Sequence, residues 1–472
     1  MKVDYSKFLS DNEAEIRKIV DELSKSFEHV TVLGKDVRGK SISAGRTASA
    51  VSDYFLGGKG FVVRAYKDGG YVEYSFNQIE DNMATTIKDA FNSLKTLCKD
   101  NDYEQYVTTC AEDFEGEEEC FKEVGRNLST LDLKECVETL KSYSDEAHAM
   151  DEHIIEARFS TTIVEVSAFF MSEKGIMRQA YGFSEGSVAV MANKDGENKM
   201  DHYGVSGLKG VEILDELHAL TKTVVDSTLE LFGTERIEPG VYDVITRPDV
   251  TGLIAHEAFG HGVEMDMFVK NRALAKDYIG KQIASPIVNM RDGAAGIDHV
   301  SSYFFDDEGT KGTDTQIIKD GILVAGISDL TSANRLGTVP TGNGKRESTE
   351  RKAYTRMTNT YFCAGNDKYE DMVKSIEYGF QLEGMQSGME DPKHWGIQCM
   401  VTKGREIKDG KFTGRIVSPV ILTGYVPDLL KSISMVSEEI EVDGNGYCGK
   451  GHKEWVKTSN GGPYLKAKAR LG

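Results

Sequence analysis

A break in pattern near residue 235 constrains this chain more than any other feature. Before it, helices with apolar stripes alternate with β-rich runs. The last such helix covers about 208–232, with its stripe at Val211, Leu214, Leu217, Leu220, Val224, Val225, Leu229 and Leu231; Gly233 suits its C′ position. The run GTERIEPGVYDV (233–244) reads as a linker. Beyond it come a strand at 242–246, one helix, and a series of short β runs, several ending in glycine. At 472 residues the chain also exceeds what one core usually serves. The expectation is an α+β fold of two domains. Residues 1–235 form a mixed α/β domain with an antiparallel sheet, and residues 236–472 form a predominantly β domain that bears the helix at 248–260.

Local signals fill in this plan. Ser10 and Glu13 make a capping-box pattern before a stripe of Ile16, Ile19, Val20, Leu23 and Phe27. A strand follows at 29–34, and FVVRAY (61–66) and YVEYSF (71–76), joined by KDGG, read as a hairpin. A helix is expected over 82–98. Residues 153–172, 176–183 and 186–193 read as a meander of three strands separated by Gly and charged turns. In the second half, 315–327 and 404–417 each place Asp-Gly between β-rich runs, the strongest short hairpin signal. YFFDD (303–307) reads as a core strand with Asp306 and Asp307 at its turn.

Charge and cysteine usage exclude several functions. With 56 basic and 76 acidic residues the net charge is −20, which argues against nucleic acid and against an anionic membrane surface. No run of about eighteen apolar residues occurs, so no membrane-spanning helix is expected. Acids within the first fifteen residues argue against a secretory signal. Seven cysteines, an odd number with no CxxC pair, point to reduced thiols in the cytoplasm rather than a disulfide framework. Nine acids and no base between 100 and 120 mark an exposed, solvated segment.

The chemistry concentrates in PDVTGLIAHEAFGHGVE (248–264). Pro248 and Asp249 suit a first helical turn. Two histidines, His256 and His261, flank Glu257 in an HExxxH arrangement, one residue longer than the HExxH of zinc peptidases. On a regular helix residues five apart lie roughly 140° around from one another, against about 40° for four. One ion can take both imidazoles only if the helix distorts. Gly260 and Gly262 allow either a π-bulge or a helix that ends at Gly260. A catalytic zinc takes three protein ligands, so another is needed. Glu264, distant Cys or His residues, and above all Cys448 in the Gly-rich run GNGYCGKGH (444–452) are candidates, with His452 as its rival.

These residues resemble a known family. HEAFGHGVE is similar to the HEAxGHG[LV]E motif of the TldD/PmbA metallopeptidases. The segments at 240–266, DDEGT (306–310), PTGNGKRES (340–348), RMTNTY (356–361) and ISMVSEEIEVDGNGYCGK (433–450) follow in the family's order. The resemblance implies one Zn²⁺ held by His256, His261 and Cys448, with Glu257 as the catalytic glutamate, and a TldD-like member rather than the metal-free PmbA type. It implies hydrolysis of peptides or unfolded protein segments, and a dimer, either with a copy of the chain or with a metal-free PmbA-like sibling. Asn343 and Arg346 are candidates for orienting a substrate backbone, as is Arg356, and Glu264 for orienting a ligand histidine. The competing expectations are a non-catalytic partner or peptide-binding subunit with a structural or empty metal site, and a regulator of a DNA enzyme, which the charge disfavours.

Overall fold

A computed structural model describes residues 1–67, 70–99, 114–451 and 454–472. The acidic stretch at 100–113 and His452 lie outside the described residues. The fold is α+β. Among the described residues, the first half builds one eight-stranded sheet in the order 70–76, 58–67, 29–44, 154–172, 175–194, 116–121. The strand 49–53 lies beside 29–44, and 197–207 beside 175–194. Helices Lys7–Leu23 and Met83–Lys99 bury Leu9, Ile16, Val20 and Ile87 with Phe61 and Phe169 of the sheet. Helices Leu133–Met150, Ile213–Ala219 and Thr221–Glu230 bury Leu140, Leu217 and Val224 with Phe159 and Val188.

Several boundaries differ from expectation for identifiable reasons. The first helix is capped by Ser6, whose Oγ accepts from Leu9 N, so it begins a turn before Ser10. Glu13 instead pairs with Arg178 at 2.7 Å. The expected three-stranded meander has two strands in place of three: 176–183 and 186–193 belong to one twenty-residue strand, Gly175–Lys194. The chain turns back only at Asp195-Gly196, both at positive φ (53° and 86°), into Glu197–Gly207. The expected 208–232 helix is two helices, and begins at Ile213. YFFDD is not a strand. Asp306 Oδ1 accepts from the backbone N–H of Glu308 and Thr310, both at 2.9 Å, which curls the segment into a turn.

The second half carries two large sheets among the described residues. One runs 322–323, 315–319, 290–292, 359–362, 454–462, 441–450. The other runs 378–391, 240–246, 465–471, 420–425, 396–408, 411–417, with 435–436 beside 465–471. Because 378–391 also pairs with 396–408, five of its strands close into a ring. Both Asp-Gly hairpins form, with Asp320-Gly321 and Asp409-Gly410 at positive φ. Among the described residues no helix is long and apolar enough to cross a membrane.

Ion pairs tie the halves together. Arg64 Nε donates to Glu73 Oε1 at 2.8 Å, and Arg346 Nη1, from the second half, donates to Glu73 Oε2 at 3.1 Å. Burial opposes the Glu73 charge, but Arg64 and Arg346 outweigh it and hold the carboxyl at about 2. That lies below the unfolded value of about 4.3. The stabilisation is therefore present above the unfolded value and lost as pH falls toward 2. Glu73→Gln is expected to cost about 3 kcal/mol at neutral pH. Denaturant unfolding should show the gap closing as pH falls through that window; a gap independent of pH would contradict the pairing.

Candidate metal centre

The strand Gly240–Thr246 leads into a helix at Pro248–Ile254 that begins with proline in its first turn. Asp249 Oδ2 accepts from the backbone N–H of Gly384 and Met385, each at 2.9 Å, and so ties the helix start to the strand 378–391. Residues Ala255–Gly260 then form a π-helix, and His261 N donates to His256 O. That i→i+5 bond stacks residues five apart on one face. Of the two distortions open to the HExxxH spacing, the chain uses the π-bulge. The rings of His256 and His261 lie edge to face with centroids 5.1 Å apart. Gly260 is closely approached: a Cβ there would come within 2.2 Å of Met357 Sδ and 3.1 Å of Ala255 O.

Cys448 joins them from 187 residues away. It does not sit on a loop. It lies within the strand Glu441–Lys450 and is 4% exposed. The glycines that suggest a loop are absorbed by a bulge between Asp443 and Gly446 and by regular pairing beyond it. Donor atoms of His256, His261 and Cys448 all lie within 4.8 Å of one another. Cys448 Sγ is 3.5 Å from His261 Nε2. A tetrahedral zinc, with Zn–N of about 2.0–2.1 Å and Zn–S of about 2.3 Å, sets nitrogen and sulfur about 3.5 Å apart, so the donor set fits that ion. Burial opposes the Cys448 thiolate, yet His261 and His256 pull the thiol well below its ordinary value. Burial likewise opposes the His261 imidazolium, which Cys448 and Glu264 raise well above the usual range. The two shifts describe one thiolate–imidazolium pair; a bound metal would take the thiolate and displace the His261 proton.

Glu257 follows His256 and is half-buried. Gly388, on the strand 378–391, faces it: a Cβ there would come within 2.3 Å of Glu257 Cγ. Gly388→Ala is therefore expected to displace the carboxylate and lower turnover about 10²-fold, the scale of an ångström-level misplacement, while metal content stays at the parent level. Parent-like kcat/KM in that variant would show that the strand does not set the glutamate's position.

Glu264 is 1% exposed, with Oε2 at 3.3 Å from His261 Nδ1 and 3.0 Å from Lys450 Nζ. Burial opposes its charge, but Lys450 and His261 hold the carboxyl well below its usual range. Asn343 and Arg346 are both buried, and their side chains meet protein groups. Asn343 Nδ2 donates to Asp292 Oδ1 (2.8 Å) and Arg356 O (2.9 Å), while Arg346 reaches Glu73 and Arg351 O. Neither belongs to the three-donor group. Arg356 Nη1 donates to Glu454 O at 3.0 Å and Nη2 to Cys448 O. Two neighbours had no signal in sequence. Lys450 meets Glu264 across 186 residues. Glu390, whose carboxyl is buried, is pushed well above the usual carboxylate range by burial and further by Glu257, against the pull of His261 and the Gly262 N–H.

A cavity of about 540 Å³ opens between the halves, with Tyr203, Arg247, Asp249, Met385, Asp443 and Tyr447 among its lining. None of the three donors lines it. Alternation along the strand puts Tyr447 and Cys448 on opposite faces, so the cavity adjoins the far side of the Cys448 strand.

Comparison with known proteins places the chain beside named metalloproteases. Residues 239–469 match the model of the PmbA/TldA metallopeptidase C-terminal domain. The chain is similar to a Haemophilus influenzae protein named metalloprotease TldD homolog, 28% identical over 72% of each chain. It is also similar to a Saccharolobus solfataricus protein named zinc metalloprotease TldD homolog, 31% identical over 48% of this chain and 51% of that one. In fold it resembles the crystal structure of TldE from Thermococcus kodakarensis, with a TM-score of 0.74 and 16% identity, covering 97% of this chain and 99% of that one.

Proposed function

We propose that this chain, which belongs to the TldD/PmbA family, is a zinc-dependent peptidase that hydrolyses peptide bonds in peptides or unfolded protein segments. The observation that carries the reading is the convergence of His256, His261 and Cys448 within 4.8 Å beside Glu257. These three residues would hold the ion, the number of protein ligands a catalytic zinc takes. Zinc so held supplies Lewis acidity, polarising a carbonyl and acidifying water. Glu257 takes the proton of the attacking water and delivers it to the leaving amine. Gly388 leaves room for its side chain, since a Cβ there would come within 2.3 Å of Glu257 Cγ. Glu264 accepts the Nδ1 proton of His261, which keeps Nε2 facing the ion and fixes the ring.

The test is cleavage of an unstructured polypeptide by the purified full chain, before and after chelation and after zinc is returned. The reading expects cleavage that is lost with chelator and restored by zinc. Cleavage indifferent to chelator, or none from the zinc-loaded chain across a broad peptide set, would overturn it.

A further inference from the structure

We propose that Lys450 is a positioning residue for the metal ligands: it pins the Cys448 strand to Glu264 and through it sets His261. The inference rests on the metal-centre reading above and adds the device that holds the two remote ligands in register. Lys450 Nζ donates to Glu264 Oε2 at 3.0 Å, to Asp266 Oδ1 at 2.6 Å and to Thr355 O at 3.0 Å. The side chains are 12% (Lys450), 2% (Glu264) and 10% (Asp266) exposed, so little solvent screens the cluster. Glu264 spends the same oxygen, Oε2, on His261 Nδ1. An unbroken path thus runs from Cys448 along its strand to Lys450, across to Glu264, and on to the imidazole.

Strand periodicity makes this path restrictive. Residues 448 and 450 share one face, so the thiol and the ammonium leave the strand on the same side. A slip of one residue would turn both away. The ion pairs therefore hold the register that presents Sγ to the histidines. Arg356 supplies a second anchor, bridging Cys448 O on this strand and Glu454 O on the next.

The experiment is Zn²⁺ affinity of the metal-free full chain, measured by competition with a chromophoric chelator, and the sulfur-to-cobalt charge-transfer band of the Co²⁺ form. Lys450→Met should weaken Zn²⁺ binding about 10–100-fold, the scale of a lost partner behind a ligand, and alter the band. Lys450→Arg should restore most of the affinity. Lys457→Met is the control. It removes a buried lysine of the strand 454–462 that pairs with Glu185 of the first-half sheet rather than with Glu264. It should keep the parent affinity. If Lys450→Met does not fold, Lys450→Met/Glu264→Met removes the pair without stranding the Glu264 charge and must show the same loss. Parent-like affinity in the folded single or double variant overturns the proposal, as does an equal loss in Lys457→Met. A parent chain that binds no Zn²⁺ contradicts the metal-centre reading itself, which separates the two failures.

Discussion

Glu257→Gln is expected to retain zinc and lose peptide cleavage. Glutamine has nearly the same volume and reach, so the helix and the close packing at Gly388 survive. What disappears is a carboxylate able to take a proton from water and return it to the leaving amine. General acid–base catalysis by a positioned side chain contributes about 10²–10⁴-fold, or about 3–5 kcal/mol of barrier. kcat should fall by that factor while zinc per chain remains at the parent value, because Glu257 is outside the three-donor group. Turnover retained in the variant would remove the base role from Glu257.

The site was legible where its signal is local. HExxxH stands in seventeen consecutive residues, and the arithmetic of helix rotation showed that a regular helix could not use it. The sequence left a π-bulge and a helix end both open, because the packing around Gly260 includes Met357, 97 residues away in the chain. Cys448 was legible as a candidate ligand, from its Gly-rich surroundings and through the family resemblance. Its strand was not, because glycine-rich sequence reads as loop unless its pairing partner at 454–462 is known. Lys450 followed Cys448 in plain view, yet nothing local distinguishes it from a surface lysine. Its role appears only when Glu264 and Asp266 are brought against it.

The fold shows the same division. Asp-Gly turns at 320–321 and 409–410 announced their hairpins, because both residues adopt the left-handed region the turn demands. The equivalent turn at 195–196 follows a strand whose internal glycines, Gly182 and Gly186, mimic turn signals within a continuous pairing. Asn343 and Arg346 carried the chemistry of substrate contacts in sequence. In the folded chain Asn343 bonds to Asp292 and Arg356, and Arg346 pairs with Glu73. Which polar side chain meets another protein group is decided by tertiary packing, which a run such as PTGNGKRES does not display.

The second large effect concerns Cys448. Serine keeps the size and the strand but replaces a thiolate that the histidines stabilise with a hydroxyl that stays protonated at neutral pH. His256 and His261 are left as a two-ligand site, short of the three that a catalytic zinc takes. The affinity loss should exceed the roughly 100-fold upper range for a lost partner behind a ligand, and cleavage should fall with it. The most direct test is therefore zinc per chain in the purified parent beside Cys448→Ser, measured by elemental analysis after dialysis. The account predicts about one zinc per parent chain and near-complete loss in the variant; equal zinc in both, or none in the parent, would contradict it.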